Sequence, residues 1–358
     1  MDQEISFYCS KGLTAWIIDA FAGCGVAQDD AAAAAEVIVR TSLRGIDTHG
    51  VARVPAYVDQ LRAGLTRAQA RPRTAGNHGF LHCDGDGALG QLSASTAMRA
   101  AIDQAQETAI VAGTVSNSGH MGALGLYALQ AAEQGLIAFI CQRTPPIMAL
   151  PGSTDRAIGN NPIAYAFPVP GGVPLVFDMA SSKVARGNVL AAVRQKATAI
   201  PAGWAIDPSG NPTTDPLAAL AGSMLPMSGH KGVGLAMLVE GLAGSLSGMD
   251  YEGPGAAGAM PGGVATASAF LFVINPDHVC GREAFERHMA EWTAHYLAVS
   301  GAQARYPGQR QAWCEEERLV QGIPMDAELV GQLRQLGTLV GKDFDVDCVA
   351  RGSTGAAG

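Results

Sequence analysis

Between Phe80 and Ile274, short runs rich in β-branched and aromatic residues alternate with stretches of helical periodicity, and the chain on both sides of that region reads as helix. That layout restricts the fold more than any single motif. The strand-like runs are Phe80 to Cys83, Ile110 to Val115, Ile137 to Cys141, Ile163 to Phe167, Leu175 to Phe177 and Phe270 to Ile274; helical stretches lie near Leu92 to Glu107, Leu124 to Gln134 and Lys231 to Leu246. An α/β core of at least five strands follows. Ahead of it come helices at Leu13 to Phe21, at Ala31 to Leu43 with Asp29 and Asp30 as caps, and at Val51 to Ala63, ended by Gly64. Helices return at Arg282 to Val299 and Asp326 to Leu336. The expected domains are a helical unit over 1–75, an α/β unit over 76–279, C-terminal helices over 280–348 that rejoin the first unit, and a disordered tail at 349–358. Gly253 to Gly263 reads as a flexible connection.

At 358 residues the chain is long enough for a large buried core. A formal charge of -8 argues against a nucleic-acid or anionic-membrane partner, because both need clustered Lys and Arg. No apolar run is long enough to span a bilayer, and Met1-Asp2-Gln3-Glu4 does not open like a secretion signal, so a cytoplasmic protein is expected. Seven scattered cysteines without a C-x-x-C suggest reduced thiols, with neither a disulfide framework nor a zinc site.

The motif richest in chemistry is RGIDTHGVARVPAY, from Arg44 to Tyr57. On a continuous helix its spacing puts His49, Arg53 and Tyr57 on one face beside Thr48. His titrates near neutrality and Arg grips carboxylates in a planar fork, so such a face suits a small acid and a proton transfer. The same spacing also serves an ordinary intersegment contact.

Gly85-Asp86-Gly87-Ala88-Leu89-Gly90 matches the dinucleotide fingerprint G-x-G-x-x-G, yet no acidic residue stands about 20 positions on at the end of a second strand. A glycine-rich turn into a packing helix is the preferred reading. The loop Ser116 to Gly125 follows a strand run and opens a helix, so its N–H groups offer a pyrophosphate site, and His120 sits there as ligand or as cap. Gly229-His230-Lys231-Gly232 opens a helix in the same way without being a P-loop. Asn160-Asn161-Pro162 and Asp178-Met179-Ala180 stand at strand ends, with Asp178 as ribose acceptor or helix cap. A metal-dependent hydrolase built on His49, His120 and His230 has no supporting ligand spacing.

Taken together and in order, LRGIDTHG, GHMG, GNNP, FDMASSKVARGNV and GHKGVGLAMLVE resemble the malate/L-lactate dehydrogenase family of the second, non-Rossmann type. The resemblance covers about residues 10 to 345. It implies a mixed-sheet α/β domain that binds NAD or NADP, a helical domain, a homodimer, and hydride transfer at a carbon beside a carboxylate. The substrates implied are 2-oxo and 2-hydroxy acids, or alternatively cyclic ketimine carboxylates; a catalytically silent cofactor-binding protein is the remote alternative. Carried over by position, His49 resembles the proton donor with Thr48 beside it, and His120 ranks second in that role. Arg53 resembles the carboxylate clamp, with Tyr57, Asn160, Arg186 and Gly187 lining the substrate pocket. His120, Met121, Gly122, Ala123, Leu124, Asp178, Met179, Ala180, Gly229, Gly308 and Arg310 resemble cofactor contacts.

One departure matters. Where the ketimine reductases of the family carry an Asp that orients and charge-stabilises the catalytic His, this chain has Asn188. An amide holds an imidazole without stabilising its cation, which weakens the ketimine reading. Arg186, if it faces the pocket, suits a second anionic or strongly polar group on the substrate. Arg143, Arg156 and Arg186 are all available to a 2′-phosphate on sequence grounds.

Overall fold

We describe a computed structural model of the protein over residues 5–77, 79–250, 267–301 and 303–349. The connection at 253–263 and the tail beyond Val349 lie outside the described residues. At the centre is a seven-stranded sheet in the order Arg73–Asn77, Phe80–Ala88, Ile110–Ser118, Ala267–Ile274, Ile137–Arg143, Ile163–Phe167, Leu175–Met179. All six strand-like runs of the sequence are in it. Phe80–Ala88 and Ile110–Ser118 run parallel, and every other neighbouring pair is antiparallel. The sheet is therefore mixed, as the family resemblance implies.

Both faces of the central strands are covered, which is why those strands read as continuous apolar runs. Leu81, Val111, Val115, Ala138, Ile140, Ala164, Leu271 and Val273 pack under the helices Gly90–Ala105 and Gly125–Ala132. Phe139, Cys141, Ile163, Phe270 and Phe272 face the other way and meet Leu235, Val239 and Leu242, carried by the helix His230–Val239 and its π-helical continuation Glu240–Gly244.

The glycine pattern near residue 85 has a backbone role. Its first two glycines lie within the strand Phe80–Ala88, whose pairing is irregular between Asp84 and Ala88, and positive φ at Asp86 (53°) and Gly87 (73°) forms the bulge. A Cβ at Gly85 would stand 2.7 Å from the carbonyl oxygen of Asn117, and one at Gly90 would collide with the carbonyl oxygens of Gly119 and His120. Backbone occupies the space a phosphate would need.

The second unit joins the two ends of the chain. Strand Ile5–Tyr8 pairs antiparallel with Ile323–Asp326. Helices Ser10–Gly23, Gln28–Leu43, Val54–Arg62 and Ala327–Val340 share one core that includes Leu13, Phe21, Ile38, Val58, Leu329 and Leu333. The C-terminal segment divides, unlike the expected grouping of 280–348: helix Arg282–Val299 packs Phe285, Met289 and Leu297 against Tyr165, Phe167 and Leu175 of the sheet. Within 76–279 a further small sheet forms from Pro212–Thr213, Ala205–Ile206, Ser223–Met224, Met148–Ala149 and Arg156–Ile158. Strands of two or three residues are too short to leave a readable period.

Gly90→Ala is expected to destabilise the protein by roughly 2–4 kcal/mol, since two backbone oxygens must move, whereas Gly331→Ala, in open space on the helix Ala327–Val340, is expected to stabilise it by up to about 1 kcal/mol. Urea denaturation of both variants checks the pair.

Candidate active site

The motif from Arg44 to Tyr57 does not form one helix. Helix Gln28–Leu43 ends, Gly45 turns the chain at φ 74°, and two 3-10 turns follow, Asp47–His49 and Val51–Arg53, before helix Val54–Arg62 starts with Pro55 in its first turn. Gly50 separates the turns because it lies flat on Ser42, where a Cβ would stand 2.9 Å from the Ser42 nitrogen, and the Val51 N–H donates to Ser42 Oγ at 2.9 Å. From helix Gln309–Gln321, Arg318 donates to both Asp47 carboxylate oxygens at 2.5 and 3.1 Å. The expected single helical face is thus replaced by two turns and a helix that direct their side chains into one site.

Thr48 Oγ1 and His49 Nδ1 are 2.9 Å apart, and Tyr57 OH and His120 Nδ1 are 2.9 Å apart. The two imidazole centroids lie 5.7 Å apart. With each Nδ1 engaged, the Nε2 atoms are the positions left for a ligand among the described residues. Burial, and secondarily the Arg53 charge, push His49 down to about 4; the same two causes, with His49 adding to them, hold His120 well below its ordinary value. Arg53 keeps its Nε buried with no hydrogen-bond partner among the described residues. Two neutral imidazoles beside an uncompensated guanidinium form a site built for an anion.

The far wall is helix Arg186–Arg194. A Cβ at Gly187 would sit 3.1 Å from Thr48 Cβ and 3.7 Å from His49 Cε1, so a hydrogen there lets the helix approach the turn. Asn188 is exposed, and Thr48 occupies the His49 Nδ1 position that an orienting amide would take. A cleft of about 490 Å³ runs from Thr48 and Arg53 past Gly187 and Asn188 to Ile200 and Trp204.

The Asn160 amide oxygen accepts from Thr144 Oγ1 at 2.9 Å, and its NH2 group makes no hydrogen bond among the described residues. Sequence reading missed Thr144, and also Gln91, buried against Tyr57. Their only sequence signals are a polar residue just after a strand and one at a helix start.

On the cofactor side, Met121, Ala123 and Leu124 have buried side chains, so a bound molecule meets that loop through its backbone and Gly122. Asp178 Oδ2 accepts the Gly125 N–H at 2.7 Å and thereby caps helix Gly125–Ala132. That cap takes the last N–H of the Ser116 to Gly125 loop, so an anion there would meet the Asp178 carboxylate. Although Asp178 stays open on one side, packing pushes its carboxyl up to about 6, against the backbone donors that pull it down. The start of helix His230–Val239 is different: no side chain caps it, and space beside Gly229 is open. The Pro307 carbonyl accepts from the Val176 N–H at 2.9 Å, setting Gly308 and exposed Arg310 beside strand Leu175–Met179. An open helix start suits phosphates, and a carboxylate with exposed surface suits a ribose hydroxyl, so the two are the groups available here to a dinucleotide. Among the described residues no three His, Cys, Asp or Glu side chains gather as a metal site, and no helix is long and apolar enough to cross a membrane.

The profile of a family described as malate/L-lactate dehydrogenase matches residues 10–334. The chain is 32% identical over 327 residues to a malate/(S)-sulfolactate dehydrogenase of Methanothermus fervidus, covering 89% of this chain and 94% of that protein. It is 35% identical over 309 residues to an NAD(+) ureidoglycolate dehydrogenase of Escherichia coli O157:H7, covering 84% and 86%. Among solved structures it resembles a delta1-piperideine-2-carboxylate reductase from Pseudomonas syringae pvar. tomato, with a TM-score of 0.83 at 30% identity over 92% of this chain and 99% of that one.

The depressed histidines make stability depend on pH. Below the ordinary histidine pKa of about 6.5 the unfolded chain binds protons that folded His49 refuses until about pH 4. Stability therefore falls as pH drops through that window and levels beneath it. Urea denaturation is expected to show that His49→Gln removes about 1.4 kcal/mol per pH unit from this slope, one proton's worth.

Proposed function

The chain belongs to the malate/L-lactate dehydrogenase family, an NAD(P)-dependent oxidoreductase that interconverts 2-oxo and 2-hydroxy acids, and on that premise we propose how its residues divide the work. The observation that carries the reading is the buried Nε of Arg53, unpartnered among the described residues, beside His49 and His120. Arg53 clamps the substrate carboxylate. His49 gives its proton to the carbonyl oxygen during reduction and takes it back during oxidation.

The depressed pKa of His49 fits this cycle. A bound carboxylate cancels the Arg53 charge that helps keep the imidazole neutral, so His49 gains affinity for its proton when a substrate is present. Thr48, on Nδ1, fixes the ring and leaves Nε2 toward the reacting oxygen. His120, held by Tyr57, is the second candidate for the proton. Asn160 and Gly187 complete the pocket wall. Because no carboxylate supports the His49 cation, a 2-oxo acid is favoured over a cyclic ketimine.

The bound NAD(P)H supplies the hydride. Gly229 and the following helix start would hold its phosphates, Asp178 with Met179 and Ala180 a ribose, and Gly122, Gly308 and Arg310 the flanks of the molecule. Holding the two reactants in register is the protein's main contribution. We also assign a cytoplasmic homodimer; the exposed stripe Trp292, Tyr296 and Val299 on one helix supports a partner surface, and sedimentation tests it.

NADH and NADPH oxidation, run in parallel against pyruvate, oxaloacetate, sulfopyruvate and piperideine-2-carboxylate, tests the reaction; turnover of the cyclic imine alone would sink the 2-oxo acid reading. His49→Ala is expected to lower kcat by roughly a hundredfold or more. Arg53→Ala is expected chiefly to raise KM for the acid by about tenfold to a hundredfold. A loss of NAD(P)H affinity alone would count against the clamp.

A further inference from the structure

We propose that Arg186 is a second anion-binding residue and that the preferred substrates are 2-oxo acids with a second negative group, a carboxylate or sulfonate, at the far end. The inference rests on the 2-oxo acid reading above and narrows it. Arg186 lies within electrostatic reach of two other arginines, Arg156 and Arg53. Arg156 is spent, since its guanidinium donates to the carbonyls of Leu220, Ala221 and Gly222 at 2.7 to 3.0 Å. Arg53 has a buried Nε without a partner, and Arg186, partly buried, makes no hydrogen bond or ion pair among the described residues.

Arg186 opens helix Arg186–Arg194, and the next residue, Gly187, is packed on Thr48 and His49, so its backbone is fixed at the edge of the proton-transfer site. The charges felt by Arg186 are Arg156 and Arg53, both repulsive. The same helix start has no side-chain cap and adds a field of the same sign. Like charges crowded without a carboxylate are costly, and a ligand with two anionic ends removes the cost. A monoanion satisfies Arg53 and leaves Arg186 unpaired.

The alternative source of anion is the cofactor's 2′-phosphate. Of the arginines nominated for it by sequence, Arg143 is paired with Glu240 at 2.8 Å, Arg156 is occupied, and Arg186 precedes Gly187, which packs on Thr48 and His49 at the substrate end. That placement favours the substrate's own second group.

The test compares kcat/KM for oxaloacetate and sulfopyruvate with that for pyruvate and 2-oxobutyrate, in the wild type and in Arg186→Gln and Arg186→Lys, with KM for NAD(P)H measured alongside. The wild type is expected to favour the dianions, and Arg186→Gln to shrink that ratio by roughly tenfold to a hundredfold, with Arg186→Lys keeping part of it. Equal use of both classes by the wild type overturns the proposal and leaves the 2-oxo acid reading standing. So does an equal fall for both classes in Arg186→Gln, which marks a structural role, or a rise mainly in KM for NAD(P)H, which gives Arg186 to the cofactor. Binding of succinate and of propionate to the NAD(P)H-loaded protein is read by calorimetry. If no 2-oxo acid turns over, succinate-selective binding that is lost in Arg186→Gln upholds the anion site while the 2-oxo acid reading falls; without such binding both fall.

Discussion

The site depends on a backbone contact. Gly90, at the start of helix Gly90–Ala105, lies against the carbonyl oxygens of Gly119 and His120, while Gly85 lies against Asn117. Those contacts hold the loop after strand Ile110–Ser118 tight on the sheet, and the Gly119 N–H donates to the Ala88 carbonyl at 2.9 Å to close it. His120 is thereby set where Tyr57 OH reaches its Nδ1 and where its ring stands 5.7 Å from that of His49. Because the contact is backbone on backbone, no side chain is tolerated there and the position cannot drift with a rotamer.

Around that contact the electrostatics have one sign. Arg53 and Arg186 bring charge into a region where, among the described residues, neither has a carboxylate partner; Asp47, which lines the same cleft, is taken by Arg318. Burial and this charge keep both histidines neutral, so the resting site holds unpaired cation and unprotonated base together. An anionic substrate relieves both conditions at once, and binding is thereby coupled to the protonation that reduction needs.

Much of this was legible beforehand, and the failures have physical causes. The strand runs stood out because both faces of the central strands are apolar. The helical reading of Val51 to Ala63 failed in its first turn because Gly50 packs on Ser42, a contact nine residues away in sequence that no periodicity reports. The Ser116 to Gly125 loop reads as a run of free N–H groups, and only the fold shows that Asp178, 53 residues on, takes the one at Gly125. The grouping of Arg282–Val299 with the N-terminal helices failed because an amphipathic stripe does not say which of two apolar surfaces it will meet.

By itself the sequence determined the chemistry available: a histidine and an arginine in one motif, glycines where backbones must touch, an acidic chain without metal-ligand spacing, and a family signature spread over residues 10–334. Tertiary structure alone decided which charges remain unpaired. Arg143, Arg156 and Arg186 are alike as residues, yet the fold gives the first a carboxylate, the second three carbonyls and the third nothing among the described residues. Partners in three dimensions come from distant segments, and the free energy of a charge depends on its partners, so the choice among these arginines was not written at any one position.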